Sequence, residues 1–209
     1  FKKDLINEYL RVMDLIKVDY VEIGFRFIDK VKTKGPTAYT EESFLNSLKI
    51  PKKLKLGVMV NASDFISSEN IIDLAKKSFK KKKESLISLV RIACHHQEVK
   101  KIIPLVKWLK QSGYKVGVNI MQIPELSRQE IKDTVLQVKK SKADILYFAE
   151  SLGSLNATET KKIIKNIKIN WKDSIGIHTH DNMGKALENS IEAINNSVNW
   201  IDCTVTGMG

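Results

Sequence analysis

The sequence has little of what would mark a membrane-spanning or secreted protein. No stretch approaches the roughly 18 uninterrupted apolar residues that a membrane span needs, so no membrane partner is expected. The opening segment, FKKDLINEYL, lacks the long apolar core and the small-residue cleavage site of a signal peptide. Only two cysteines occur, Cys94 and Cys203, far apart in the chain, so we expect a cytoplasmic protein without a disulfide framework.

Linkers are also lacking, because no segment rich in proline, glycine or serine divides the chain. With 43% hydrophobic and 28% charged residues, the composition is that of an ordinary globular protein with enough apolar residues for one core. We therefore predict a single catalytic domain over residues 1–209.

Acidic residues are too few to balance the basic ones. The chain carries 35 lysine and arginine residues against 24 acidic residues, which gives a formal net charge of +11. Much of the excess is lysine on predicted helix faces, and neither arginine nor aromatic residues are interleaved with the lysine run at residues 80–83. This pattern favours a solvated surface over a nucleic-acid site, although the charge can still attract anionic substrates.

Short apolar or β-branched runs recur about 30 residues apart, which is the length of one strand-plus-helix unit. Seven such runs are present, over residues 20–24, 56–60, 86–93, 115–121, 144–148, 174–178 and 199–205. Their nearly continuous apolar character is typical of strands in a parallel sheet that is buried on both faces.

Between these runs, apolar residues recur at helical steps of three and four. The first and last of the resulting stripes consist of Leu5, Tyr9, Met13 and Ile16, and of Leu187, Ile191, Ile194 and Val198. A helix followed by seven strands that alternate with helices predicts an α/β fold of the (β/α)8 TIM barrel type. In that barrel this chain would supply strands two to eight. It would lack the first strand and, beyond Gly207-Met208-Gly209, the final loop and helix. A doubly wound open sheet is the alternative fold.

The strongest local signal is the segment GIHTHDNMG at residues 176–184, which ends a predicted strand and precedes a helix expected to begin near Met183. Residues two apart on a strand point to the same side, so His178 and His180 can present two imidazoles at the strand's carboxyl end. Barrel enzymes place their active sites there, and two imidazoles leave room for a carboxylate and substrate oxygens on a divalent metal. We predict that both histidines bind metal; the alternative is a pair that merely ends a strand. Asp181 and Asn182 can cap the following helix.

Several segments resemble the metal-dependent aldolase/lyase barrel family, which includes 4-hydroxy-2-oxovalerate aldolase, hydroxymethylglutaryl-CoA lyase and the isopropylmalate and homocitrate synthases. GIHTHDNMGKALENSIEAI and the following WIDCTVTGMG are similar to the seventh and eighth strands of that family. VEIGFR, LVRIA and AESLGS resemble its second, fourth and sixth strands. The segments GFR and KGPTAYT are closest to the 4-hydroxy-2-oxovalerate aldolase-like branch.

This resemblance implies a lyase that cleaves or forms a carbon–carbon bond next to a 2-oxo acid such as pyruvate, with an aldehyde as the second small molecule. The cofactor would be Mn²⁺ or Mg²⁺, with Zn²⁺ or Co²⁺ as alternatives, and it would stabilise an enolate. His178, His180 and an aspartate at the end of the first barrel strand would hold the metal. No such strand precedes Phe1, so we expect this chain alone to bind metal weakly and to have little activity. A homo-oligomer is left open.

Five further residues are candidates for the site. Arg91 and His95 are predicted to be catalytic, His95 as a general acid or base after a strand end. Glu22, Asn119 and Glu150 are predicted to bind substrate, the last at a position where the family has aspartate. Each also has a structural interpretation: Arg91 would pair with Glu22 or Glu150, and His95 or Asn119 would belong to a loop at the rim.

Two other functions are consistent with these features. An acyl-CoA-dependent Claisen synthase, similar to isopropylmalate or homocitrate synthase, uses the same metal–enolate chemistry. A non-catalytic barrel that binds polyanions would account for the net charge and predicts salt-sensitive binding without metal. The H-x-H motif argues against the second, because a scaffold does not need two imidazoles at that edge.

Overall fold

The computed structural model describes residues 2–205, so the predicted loop at Gly207-Met208-Gly209 lies outside the described residues. The helices of this part are α1 (Lys3–Leu15), α2 (Glu42–Asn46), α3 (Ala62–Ile66), α4 (Ile71–Ser78), α5 (Val99–Gln111), α6 (Arg128–Ser141), α7 (Ala157–Asn170) and α8 (Ala186–Asn195). The strands are β1 (Tyr20–Phe25), β2 (Lys55–Asn61), β3 (Ile87–Cys94), β4 (Lys115–Ile120), β5 (Ile145–Glu150), β6 (Ser174–Thr179) and β7 (Trp200–Asp202). Within residues 2–205, no helix combines the length and the apolar character needed to cross a membrane.

The strands hydrogen-bond in chain order, β1 to β7, within one sheet, and the described pairs are parallel. This is the strand order of a β/α barrel, in which each helix crosses over and brings the next strand alongside the last. The predicted fold class and all seven predicted strands are confirmed. The last strand is shorter than the predicted 199–205: its pairing with β6 ends at Asp202, opposite His178.

Contacts divide the chain into two compact units, one comprising Phe1–Ile92 with Trp108–Val116 and the other Ala93–Lys107 with Gly117–Gly209. In the first unit, α1 forms as predicted but buries a different face. Ile6, Leu10 and Met13 are buried, whereas Leu5 is 56% exposed and Ile16 is 62% exposed. Of the predicted stripe only Met13 is buried, because the buried face is rotated by about one residue, or roughly 100°.

In the second unit, capping residues fix where helices begin. Ser127 begins α6 and Asn156 begins α7, each accepting a hydrogen bond from the backbone of a glutamate three residues later. The helix expected near Met183 begins only at Ala186.

The face that α8 buries also differs from the predicted one. Asn189 and Ala193 are buried, whereas Leu187, Ile191 and Ile194 are 74%, 49% and 55% exposed. The buried side carries small or hydrogen-bonding residues, since Asn189 Nδ2 donates to the carbonyl of Leu155 at 2.9 Å.

Gly176, in the middle of β6, lies directly against the ring of Tyr147 on β5. A Cβ at this position would lie 2.1 Å from Tyr147 Cδ1. Tyr147 is only 1% exposed, so its ring cannot shift without displacing other core side chains. We therefore expect Gly176→Ala to lower the free energy of unfolding by about 2–3 kcal/mol, because overpacking forces core side chains out of their rotamers. Urea denaturation measures the change.

Gly57→Ala is the matched control for this prediction. Gly57 also lies inside a strand, but its added Cβ would meet Leu89 at 3.5 Å, which is an ordinary contact. Alanine should be neutral there or stabilise the chain by up to about 1 kcal/mol, because glycine loses more backbone entropy on folding. Equal losses in both variants would contradict a specific role for the Tyr147 ring.

Candidate metal centre

The two histidines of the H-x-H motif meet at the carboxyl end of β6. His178 is the penultimate residue of the strand and His180 follows its end. The two ring centroids lie 5.0 Å apart, with their planes at 84°. The side chain of His178 is 21% exposed, so solvent and small molecules can reach this pair.

This spacing fits joint binding of one metal ion. Imidazoles that share an ion must have ring centroids within about 6 Å of each other, because each ligating nitrogen lies roughly 2.1 Å from the ion. Among residues 2–205, no group of three or more histidine, cysteine, aspartate or glutamate side chains is arranged to hold a metal. The pair therefore accounts for two ligands, and the resemblance assigns the third to an aspartate outside the seven described strands.

A carboxylate from β7 lies beside His178. The parallel register pairs His178 with Asp202, and Asp202 Oδ2 lies 3.8 Å from His178 Nδ1. A carboxylate next to one ring nitrogen of a metal-binding histidine orients the ring and leaves the other nitrogen for the metal. The sequence alone left open whether Asp202 touches substrate or only fills the barrel, because its position depends on the register of β7 against β6.

Asn119 faces the same side of the sheet as His178. The register pairs Asn119 with Tyr147 and Tyr147 with Gly176, and Gly176 is two residues before His178 on its strand. Asn119 is 4% exposed, and its Oδ1 accepts no hydrogen bond within the described residues. A buried amide oxygen without a donor is costly, so this oxygen is suited to accept a hydrogen bond from a bound molecule.

Glu150 lies at the end of β5 but faces the other side of the sheet. The register pairs Ala149 with His178 and Glu150 with Thr179, so Glu150 and His178 project in opposite directions. Glu150 is fully buried, and its Oε1 accepts a hydrogen bond from the Ser154 backbone at 2.8 Å. This placement favours a role in holding the β5 loop over the predicted contact with substrate.

His95 follows the end of β3 and belongs to a local capping arrangement. Its backbone N–H donates to Glu98 Oε2 at 2.8 Å, at the start of a short 3-10 helix, His96–Glu98. The neighbouring His96 lies 3.9 Å from Glu130. No contact described for residues 2–205 joins His95 to His178 or His180, so a catalytic role for His95 stays a prediction.

Glu22 and Arg91 form an ion pair in the first unit, with Arg91 Nε 3.1 Å from Glu22 Oε2. Their side chains are 30% and 6% exposed. Burial raises the pKa of the Glu22 carboxyl above its ordinary value, while the Arg91 guanidinium opposes that rise. Of the partners considered for Arg91, the structure brings Glu22 to it.

The fold and the paired histidines define a β/α-barrel protein of the class that includes aldolases and lyases. The chain belongs to the HMGL-like family, whose model matches residues 56–209. This confirms the resemblance to the aldolase/lyase barrels.

Relatives and solved structures agree with this assignment. The chain is 24% identical to 4-hydroxy-2-oxovalerate aldolase of Carboxydothermus hydrogenoformans and 19% identical to oxaloacetate decarboxylase of Mycobacterium tuberculosis. Each alignment covers 100% of this chain and 60% of the relative, so the chain spans about three fifths of their length. It superposes with a TM-score of 0.83 on the N-terminal domain of a candidate aldolase from Bacteroides vulgatus. That match has 28% identity over 100% of this chain and 68% of the other.

Proposed function

We propose that this chain forms the body of a divalent-metal-dependent aldolase or lyase that cleaves or forms a carbon–carbon bond next to a 2-oxo acid. The observation that carries the proposal is the His178–His180 pair at the end of β6, with its ring centroids 5.0 Å apart. Membership of the HMGL-like family supports this reaction class. Two relatives are named for 2-oxo acids, an aldolase and a decarboxylase.

Each of four residues of the second unit would have a separate role at this site. His178 and His180 would hold the ion, Mn²⁺ or Mg²⁺, and Asp202 would orient the ring of His178. When bound, the ion supplies a Lewis acid that stabilises the negative charge developing beside the 2-oxo group. Asn119, on the same face, would accept a hydrogen bond from the hydroxyl that the aldol product of a 2-oxo acid carries.

The substrate that we propose is pyruvate or a longer 2-oxo acid, with an aldehyde as the second molecule in the aldolase direction. Oxygen atoms of a 2-oxo acid suit Mn²⁺ and Mg²⁺, which prefer carboxylate, carbonyl and water ligands. Arg91 stays a candidate for catalysis and Glu22 for substrate binding. In the structure these two side chains form an ion pair with each other.

Titration with Mn²⁺ by calorimetry, with and without pyruvate, tests the proposal on the native chain and on His178→Ala/His180→Ala. We expect weak Mn²⁺ binding that pyruvate strengthens at least about fivefold, and an equal strengthening of pyruvate binding by Mn²⁺. The double variant should lose both effects.

Other outcomes would favour other functions. Mn²⁺ binding that persists in the double variant would place the ion elsewhere and overturn the proposed centre. Binding that is indifferent to pyruvate but responds to an acyl-CoA and a 2-oxo acid together would favour the Claisen synthase. A native chain that binds no Mn²⁺, yet binds heparin in a salt-sensitive manner, would favour the polyanion-binding barrel.

A further inference from the structure

The loop after β5 meets the loop after β6 where Gly153 packs closely against Asn182. A Cβ added to Gly153 would lie 2.7 Å from Asn182 Cβ and 2.8 Å from its Cγ. Such distances are shorter than van der Waals contact, so only glycine lets Asn182 pack here without a shift. The φ angle of Gly153 is +65°, in the left-handed region that other residues rarely adopt.

Two hydrogen bonds hold the β5 loop to the end of its strand. The buried Glu150 carboxylate accepts a hydrogen bond from the Ser154 backbone at 2.8 Å. The Gly153 N–H also lies 3.4 Å from the carbonyl of Glu150, where it closes the turn. Burial of Glu150 at the end of a core strand therefore fixes the position of Gly153.

Asn182 attaches the histidine loop to the β5 loop. Its Nδ2 donates to the carbonyl of Leu152 at 3.3 Å, and its Cβ packs on Gly153. The adjacent Asp181 instead caps the following helix, since its Oδ1 accepts a hydrogen bond from the Ala186 backbone at 2.9 Å. His180 thus lies between the end of β6 on one side and two anchored residues on the other.

We propose that Asn182 is a positioning residue, which, seated on Gly153, holds His180 in the orientation needed to bind metal beside His178. The expected effect on metal binding rests on the proposed function, whereas the contact between Asn182 and Gly153 does not. His178 lies within β6 and is paired with β7, so its position does not need the loop. His180 lies beyond the strand and depends on Asn182.

Three variants test the inference through Mn²⁺ affinity. Gly153→Ala and Asn182→Ala should each weaken Mn²⁺ binding about 10- to 100-fold, the range typical for residues that orient metal ligands. Gly184→Ala is the matched control: Gly184 has a φ of +66° in the same loop, but an added Cβ would meet nothing within 4 Å. It carries the same backbone strain without the collision, and we expect less than a threefold change.

The double variant Gly153→Ala/Asn182→Gly adds a check on mechanism, because glycine at position 182 removes the Cβ and Cγ that the added Cβ would meet. If Gly153 acts through the Asn182 side chain, the double variant should bind Mn²⁺ no more weakly than Asn182→Gly alone, which is a non-additive result. Full additivity, or equal effects of Gly153→Ala and Gly184→Ala, would overturn the inference.

A measurement without metal separates this inference from the proposed function. The chain has four histidines, so its ring C–H signals can be assigned in NMR spectra by substitution. Asn182→Ala and Gly153→Ala should increase the mobility of the His180 ring while leaving His178 unchanged, and Gly184→Ala should alter neither. Unchanged His180 mobility would overturn the positioning role, whereas failure of the native chain to bind Mn²⁺ would count only against the proposed function.

Discussion

Replacing Arg26 with methionine should lower the free energy of unfolding by about 3–5 kcal/mol, because it leaves a largely buried carboxylate without its cation. Arg26 is 5% exposed and lies 3.4 Å from Glu42, whose side chain is 12% exposed. Burial lowers the pKa of the Arg26 guanidinium, and Glu42 opposes that change, so each charge depends on the other.

The Arg26–Glu42 pair connects segments that are far apart in the chain. Arg26 follows β1, donates to the carbonyl of Thr40 and lies over the ring of Phe79 at 4.8 Å. Glu42, at the start of α2, accepts hydrogen bonds from Ser85 Oγ at 2.6 Å and from the Leu86 backbone at 3.3 Å, just before β3. Methionine can fill the volume beside Phe79 but cannot replace the hydrogen bonds that Arg26 donates to Thr40 and Glu42.

Urea denaturation measures this effect, and Arg11→Met provides the control. Arg11 also pairs with a glutamate, Glu8, but the two side chains are 58% and 57% exposed. That pair should contribute little to stability, because solvent screens exposed charges. Comparable losses in Arg26→Met and Arg11→Met would contradict the importance of burial. Removing both charges, in Arg26→Met/Glu42→Leu, should cost less than Arg26→Met alone.

The strands could be predicted from the sequence because burial on both faces leaves an uninterrupted apolar run. All six residues of Ile145–Glu150 are buried, so the run is visible without knowing which way each side chain points. The buried face of a helix could not be predicted in the same way. In α1, the stripe of Leu5 and Tyr9 and the stripe of Ile6 and Leu10 both follow helical spacing, and only tertiary packing decides between them.

At the candidate site, too, local patterns could be predicted from the sequence, whereas contacts between strands could not. His178 and His180 could be predicted to lie together because alternation along one strand is a local property. The contact between His178 and Asp202 depends on the register of two strands, and so does the placement of Glu150 on the opposite face. The sequence left Glu22 and Glu150 open as partners of Arg91, and only the structure brings Glu22 to 3.1 Å.

Loss of either imidazole at the end of β6 should abolish the proposed metal site. We expect His178→Ala and His180→Ala each to weaken Mn²⁺ binding by more than about 100-fold, since even groups that only orient the ligands typically contribute 10- to 100-fold. The two ring centroids are 5.0 Å apart, so a single imidazole left behind would hold the ion through one protein ligand among the described residues.

Paramagnetic broadening by Mn²⁺ measures this loss even where binding is weak. In the native chain, ring C–H signals of His178 and His180 should broaden at Mn²⁺ concentrations that leave those of His95 and His96 sharp. His96→Ala is the control, because His96 lies near Glu130 at 3.9 Å and has no described contact with the β6 histidines among residues 2–205. If His96→Ala weakened Mn²⁺ binding as much as His178→Ala does, the ion would be bound beside His96 and Glu130. The same would follow if the ring C–H signals of His96 in the native chain broadened before those of His178 and His180. With pyruvate present, Mn²⁺ should instead bind first at the β6 histidines, because the two imidazoles and the oxygen atoms of the 2-oxo acid together offer the ion more ligands than His96 beside Glu130.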